Sequence, residues 1–247
     1  MAYRYFSNKR IPAAFEPPFV FTLDGDEAHH ILHVMRAKVG EPLVLFDGSG
    51  AEFDAEITAL RKKELDVVLL KRRVEDREAP TALTLAVALP KGDRQKWLVE
   101  KSVELGAAQL WPLMAEHSVV KAAEATADRL ARSVIEASKQ CGRNTLMGIG
   151  NAVTTQTLFT CPELTEGFAL KLMARPGGLP LREVLAPWRN AGSTGAVIVA
   201  IGPEGGFSDA EEEMARAGGW TVVSLGKRIL RTETAAFAVT ALMLDGR

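Results

Sequence analysis

Val197-Ile198-Val199-Ala200-Ile201-Gly202-Pro203-Glu204-Gly205-Gly206-Phe207-Ser208 carries an apolar run, a glycine turn and a helix start in immediate succession. The run Val197 to Ile201 is continuous, apolar and rich in β-branched residues rather than alternating, which predicts a parallel strand covered on both faces. Gly202, Gly205 and Gly206 permit positive φ and close backbone approach, and Pro203 fixes one dihedral, so the chain turns sharply there. Ser208, followed three residues on by Glu211, forms a capping box and predicts that a helix begins. The same logic repeats downstream. Thr221 to Leu225 reads as a strand, and Leu225-Gly226-Lys227-Arg228-Ile229-Leu230-Arg231-Thr232-Glu233-Thr234-Ala235 as a glycine turn leading to a helix capped by Thr232 and running through Leu244. A glycine turn between strand end and helix start is the usual ligand position in an open α/β sheet.

Upstream of this pair, strands and helices alternate from Pro80 onward. Leu83 to Leu89 predicts a buried strand, Asp93 caps a helix over Arg94 to Leu105, and Gly106 closes it. A strand at Gln109 to Leu113, a helix from Asp128 to about Cys141, a strand at Phe168 to Met173 and a short helix over Leu181 to Trp188 follow. This alternation predicts a parallel sheet with both faces covered. Before it, Lys71-Arg72-Arg73-Val74-Glu75-Asp76-Arg77-Glu78-Ala79-Pro80 is charged, poor in apolar residues and ends in proline, which marks a linker. Residues 1–74 read instead as about six short strands, among them Phe19 to Phe21, Leu43 to Phe46, Ala51 to Ile57 and Leu65 to Leu70, with Asp47-Gly48-Ser49-Gly50 as a hairpin turn. One helix interrupts them, from Asp26 to Arg36, with Ile31, Val34 and Met35 on its apolar face. The pattern suggests a small β-barrel. The expected organisation is a barrel domain over 1–74 and an α/β domain over 80–247.

Composition narrows the function classes. With 247 residues and 47% hydrophobic content the chain can fill packed cores. Its apolar stretches reach only about seven residues, short of the roughly 20 that span a bilayer, and Met1 to Arg10 shows no signal-peptide h-region. The two cysteines, Cys141 and Cys161, stand alone, which suits a reducing cytoplasm and no structural zinc. His29 and His33 have metal-ligand spacing, but no third ligand is evident, so no metal is expected. A net charge of −1 is not that of a general nucleic-acid binder, so any polyanion must be held by local patches.

Neither glycine turn matches GxGxxG or GxxxxGK[ST], which argues against a pyrophosphate cradle. Such turns could instead hold an adenine and ribose against backbone groups. Arg228, Arg231, Glu233 and Thr234 adjoin the second turn. A guanidinium in a pocket-forming turn needs an anionic or carbonyl partner, which makes Arg231 a candidate for function. Basic residues elsewhere, Arg4, Arg36, Lys38, Lys91, Arg94, Lys96, Lys101, Arg132, Lys139 and Arg143, read singly as solvated charges and jointly as phosphate contacts on RNA.

Gly202-Pro203-Glu204-Gly205-Gly206 with Leu225-Gly226-x-x-Ile229-Leu230-Arg231-Thr232-Glu233-Thr234-Ala235 resembles the bacterial 16S ribosomal RNA uridine-N3 methyltransferases. The resemblance extends through Lys91-Gly92-Asp93-Arg94, Lys101 with Glu104-Leu105-Gly106, Ser118-Val119-Val120-Lys121, Ala137 to Arg143, His29-His30, Arg36, Gly40 and Phe46-Asp47-Gly48, and so spans nearly the whole chain. It implies a SPOUT-class methyltransferase, with a parallel-sheet α/β domain whose C-terminal trefoil knot forms the S-adenosylmethionine pocket, preceded by a PUA-like β-barrel. It implies a cytoplasmic homodimer acting on 16S rRNA in the 30S subunit. Gly202, Glu204, Gly205, Leu225, Gly226, Ile229, Leu230 and Thr234 are then the expected cofactor contacts, Arg231 and Glu233 the catalytic pair, and Arg4, His30, Arg36, Lys91, Arg94, Lys121 and Arg143 the RNA contacts. The chain departs from the family pattern at His117, where arginine is common, at Leu130-Ala131, in place of Arg-Trp, and at Leu172-Met173, where histidines often follow. A SPOUT enzyme acting on a ribose 2′-hydroxyl and a non-catalytic RNA-binding assembly factor are the alternatives.

Overall fold

A computed structural model describes residues 3–120 and 124–244, which fall into two compact units. The first comprises the chain up to Glu78 together with Ser138–Leu146, and the second holds the rest. A single division at 74–80 therefore misses one contribution, because Ser138–Leu146 is held by side chains of the first unit. Lys139 Nζ lies 2.7 Å from Glu27 Oε1, and Arg143 Nε donates to Glu78 Oε1 at 2.9 Å. Such long-range pairing leaves no local signature in sequence.

In the first unit, β1 (Tyr3–Phe6), β2 (Phe19–Leu23), β3 (Pro42–Phe46), β4 (Ala51–Leu60) and β5 (Leu65–Val74) form one sheet in the order β1-β3-β4-β5-β2. Strand β1, invisible in the periodicity, pairs parallel to β3; the remaining ladders are antiparallel. The β3–β4 hairpin turns where expected, with Asp47 Oδ1 accepting from Ser49 N at 3.0 Å. Strand β5 absorbs the charged Lys71 to Val74, so the connecting segment begins later than the composition suggests. Tyr5, Leu45, Phe53, Ile57, Val67 and Leu69 fill the core. The helix expected from Asp26 to Arg36 is α1 (Gly25–His29) running into a π-turn over His30–Val34. The wider turn breaks the 3.6-residue spacing, so Ile31 is buried while Val34 is 62% exposed, against expectation.

The second unit is built on β6 (Leu83–Val87), β7 (Gln109–Met114), β8 (Gly148–Ile149), β9 (Val153–Thr154), β10 (Phe168–Pro180), β11 (Ala196–Ile201) and β12 (Thr221–Ser224). They run in the order β12-β10-β11-β6-β7-β8, with β9 also on β7, and every ladder is parallel. This is the parallel-sheet α/β architecture expected. Leu85, Val87, Leu110, Met173, Ile198, Val199 and Val223 are buried in it, as continuous apolar strands require.

The helices are α2 (Arg94–Glu104), α3 (Glu124–Cys141), α4 (Thr155–Thr160), α5 (Pro162–Thr165), α6 (Leu181–Asn190), α7 (Asp209–Ala217) and α8 (Thr232–Met243). Strands β8 and β9 and helices α4 and α5 were too short to show a period. Asp93 occupies the N-cap of α2 but makes no side-chain cap bond, because its own backbone is already helical. Among the described residues no helix is long and apolar enough to cross a membrane.

Candidate active site

Strands β11 and β12 flank β10, and all three run in the same direction, so the turns that follow β11 and β12 emerge at one edge of the sheet. The capping box is present in full. Ser208 Oγ accepts from Glu211 N, and Glu211 Oε2 accepts from Ser208 N at 2.9 Å. The other Glu211 oxygen accepts from Glu116 N at 2.9 Å and from Thr155 Oγ1 at 2.7 Å. This buried carboxylate thus fixes the exit of the first turn against the segment after β7 and against α4, with both oxygens met by donors.

The second turn is fixed differently from the sequence expectation. Thr232 does not cap α8; the N-cap is Arg231, without a side-chain cap bond. Thr232 is instead buried and donates its hydroxyl to the Gly202 carbonyl at 3.0 Å. That bond joins one glycine turn to the other. Thr232→Val keeps the shape and removes only the donor, leaving a carbonyl unmet; urea denaturation should show a loss of about 1 kcal/mol.

Between the turns lies a cavity of about 240 Å³. Its walls include Ile201, Gly202, Glu204, Gly205, Phe207, Leu225, Gly226, Arg228, Ile229, Leu230 and Ala235, with Ala174, Arg175 and Pro176 from β10. Seven of the eight expected cofactor contacts line it; Thr234, exposed in the first turn of α8, does not. Ile229, an apolar side chain of the cavity wall, is 88% exposed. A Cβ on Gly202 would stand 3.1 Å from the Phe207 ring, and one on Gly205 would stand 3.0 Å from His117 Cβ. The backbone of the first turn is thus pressed close to its neighbours. His117 also places Nδ1 3.2 Å from the Gly206 carbonyl, so this residue supports the turn.

The charged residues sort into three groups. Arg228, on the cavity wall, and the exposed Arg231 make no ion pair among the described residues, so both guanidinia are available to a ligand. Arg175 is committed to Asp209 and Glu212 of α7. Glu233 is 1% exposed and does not line the cavity; its Oε1 lies 3.5 Å from Arg94 Nη1. Arg94 reaches Glu204 Oε1 at 3.0 Å with its other terminal nitrogen.

The expected RNA contacts disperse. Lys91 and Arg36 are exposed, Arg36 with a positive φ of 51°. His30 is half-buried, its ring 6.4 Å from that of Tyr5. Lys121 lies outside the described residues. Three of the expected RNA contacts already hold carboxylates. Arg94 holds Glu204 and Glu233 as described; Arg143 is 4% exposed and clamps Glu78; Arg4 pairs with Glu52, donates to Asn144 Oδ1 at 2.8 Å and stacks 4.9 Å over Phe46. His29 and His33 place their rings 4.6 Å apart. The sequence reading missed Thr232 as a bridge, Arg175 as a wall and His117 as a support; the only local hint was the proximity of Thr232 to Arg231.

Residues 77–244 match the RNA methyltransferase domain family, and residues 23–70 the RNA methyltransferase PUA domain family. The chain is 30% identical to the ribosomal RNA small subunit methyltransferase E of Bacillus subtilis, over 97% of this chain and 95% of that one. Its fold is similar to that of the Neisseria gonorrhoeae ribosomal RNA small subunit methyltransferase E bound to S-adenosyl methionine, with a TM-score of 0.84, 30% identity and coverage of 98% and 97%. A Legionella pneumophila methyltransferase in complex with the same cofactor gives a TM-score of 0.85 at 31% identity, covering 98% of this chain and 97% of that one.

Proposed function

Because the chain belongs to the RNA methyltransferase family that includes the ribosomal RNA small subunit methyltransferases E, we propose that it uses S-adenosylmethionine to methylate N3 of a uridine in 16S ribosomal RNA. The observation that carries this reading is the cavity between the two glycine turns. Its residues fit the cofactor by their chemistry: apolar walls at Ile201, Leu225, Leu230 and Ala235 suit adenine, the Glu204 carboxylate suits hydroxyl or ammonium donors, and Arg228 suits a carboxylate. Gly202, Glu204, Gly205, Leu225, Gly226, Ile229 and Leu230 would hold it. Bound there, S-adenosylmethionine supplies an electrophilic methyl group.

The chain's own residues supply the rest. N3 lies on the Watson–Crick edge of uracil, so the target must be unpaired or flipped out before it can enter. Loss of the N3 proton builds negative charge over O2, N3 and O4. Arg231, exposed at the start of α8 and free of ion pairs among the described residues, is placed to offer its guanidinium to that charge, which favours the transition state over the ground state. Glu233, expected with Arg231 as the catalytic pair, is buried and paired with Arg94, so the proton leaves to water.

The reading includes two copies of the chain working as a cytoplasmic homodimer on the 30S subunit, with the C-terminal segment knotted. Helices α2 and α8 support the pairing, since they pack Trp97 edge-on to Phe237 at 5.0 Å while leaving Trp97, Leu105 and Leu242 exposed.

Labelled methyl transfer to unmethylated 30S subunits, followed by nucleoside analysis, should yield N3-methyluridine. Recovery of 2′-O-methyl nucleosides alone would reassign the target atom, and absence of S-adenosylmethionine binding by calorimetry would remove the enzyme reading. Arg231→Ala should lower kcat by about 100-fold, as loss of one preorganised donor to a developing oxyanion does; an unchanged kcat would exclude Arg231 from catalysis.

A further inference from the structure

We propose that Arg94 is a positioning residue that latches the two glycine turns together at the cavity rim, through Glu204 on the first and Glu233 on the second. The proposal rests on the reading of this cavity as the cofactor site.

The geometry is that of a bridge. One guanidinium spans Glu204 Oε1 at 3.0 Å and Glu233 Oε1 at 3.5 Å. The base of the bridge is stiff, because the neighbouring Gln95 is buried and donates Nε2 to the Pro90 carbonyl at 2.7 Å, tying the start of α2 to the end of the β6 segment. The two carboxylates are unequal. Glu204 is half-exposed and can be hydrated, whereas Glu233 is buried and its Oε2 has no hydrogen-bond partner. A buried carboxylate needs a counter-charge or it forces its element to move, and Arg94 is the cation paired with it among the described residues.

Glu233 sits in the first turn of α8, next to Thr232, whose hydroxyl holds the Gly202 carbonyl. Loss of Arg94 would therefore strand a charge beside the bond that joins the turns. The start of α8 would open to hydrate Glu233, carrying Leu230 and Ile229 out of the cavity wall. A phosphate contact would have no such consequence in the absence of RNA, which separates this role from the one the sequence suggests for Arg94.

The test is a double-variant cycle on the full chain, with Arg94→Met, Glu233→Met and both together. Amide hydrogen exchange of residues 229–236 is followed without any ligand, and S-adenosylmethionine affinity by calorimetry. Arg94→Met should speed exchange and weaken binding, each by about tenfold, a discount from a fully buried pair because Arg94 is partly exposed. Adding Glu233→Met should restore most of both, since the stranded charge is gone. Wild-type exchange and affinity in Arg94→Met, or additive losses in the double variant, would overturn the latch. A higher KM for 30S subunits as the sole effect would assign Arg94 to RNA. Should Arg94→Met fail to fold, a folded double variant supports the latch and an unfolded one overturns it. If the wild type binds no S-adenosylmethionine, the proposed function fails, yet the ligand-free exchange still decides the latch.

Discussion

Glu52→Gln should lower the stability of the first unit by about 2 kcal/mol at neutral pH and flatten its loss of stability in acid. Glu52 is 2% exposed and faces Arg4, Arg73 and Arg77, with Arg73 Nη2 at 3.1 Å and Arg77 Nη1 at 3.5 Å. Removing its charge leaves the mostly buried Arg4 with Asn144 Oδ1 and the Phe46 ring but no carboxylate, although Arg73 and Arg77 are partly exposed and can turn to water, which keeps the cost below that of a fully buried pair. Burial pushes the Glu52 carboxyl up, but the hydrogen bond and charge of Arg4, joined by the charges of Arg73 and Arg77, outweigh it and hold the group below its ordinary value. The folded state thus takes up this proton less readily than the unfolded chain. Its contribution is fully present above the ordinary carboxylate value. It declines as pH falls below that value and is gone once the folded-state carboxyl itself protonates. Urea denaturation at a series of pH values from about 7 to 3 spans this window. Some acid sensitivity remains in the variant, because the hydrogen bond of Arg61, with that of Thr22, also holds Asp66 low. A variant as stable as the wild type at neutral pH, with an unchanged acid slope, would show that Glu52 is not the organising charge.

That same carboxylate illustrates where sequence reading stops. Strands β11 and β12 and the turns after them are legible because each is a local pattern: a β-branched apolar run, clustered glycines and a cap residue at fixed spacing. Seven cavity residues follow from those patterns and the family resemblance. Several of the side-chain partners that hold these units together are not local. Arg4 meets Asn144 across 140 positions, Arg143 meets Glu78 across 65, and Thr232 meets Gly202 across 30. A solitary arginine in a sequence reads as a solvated charge or a phosphate contact, and only the fold shows that three of the expected RNA contacts already hold carboxylates. Val34 fails for a related reason, since a π-turn changes the period on which the face was assigned. The residues that bind and the residues that hold the binders in place are therefore read by different means: the first from motif, the second from packing.

Gly226→Val should leave the fold intact and weaken S-adenosylmethionine binding by about 100-fold, the equivalent of the 1–3 kcal/mol cost of a residue held in a sparsely populated backbone region. Gly226 has φ of +119°, a conformation that side chains rarely adopt, yet nothing lies within 4 Å of where its Cβ would be. The penalty is thus one of backbone alone, without steric overlap. The turn is exposed and held by Ser224, whose Oγ accepts from Gly226 N and donates to Gly226 O, both at 3.2 Å. In the free protein the variant can relax this weakly held turn and escape most of the strain, so thermal stability changes little. Binding cannot escape it, because Leu225, Gly226, Ile229 and Leu230 form one wall of the cavity and must return to their positions to close on the cofactor. The strain is then felt in the bound state and appears as lost affinity. Ser224→Ala loosens the same turn without straining it and should weaken binding far less. Calorimetry and thermal unfolding on both variants separate the outcomes. Wild-type affinity in Gly226→Val would mean that the second turn does not close on the cofactor, and a large fall in melting temperature would move the role of Gly226 from binding to folding.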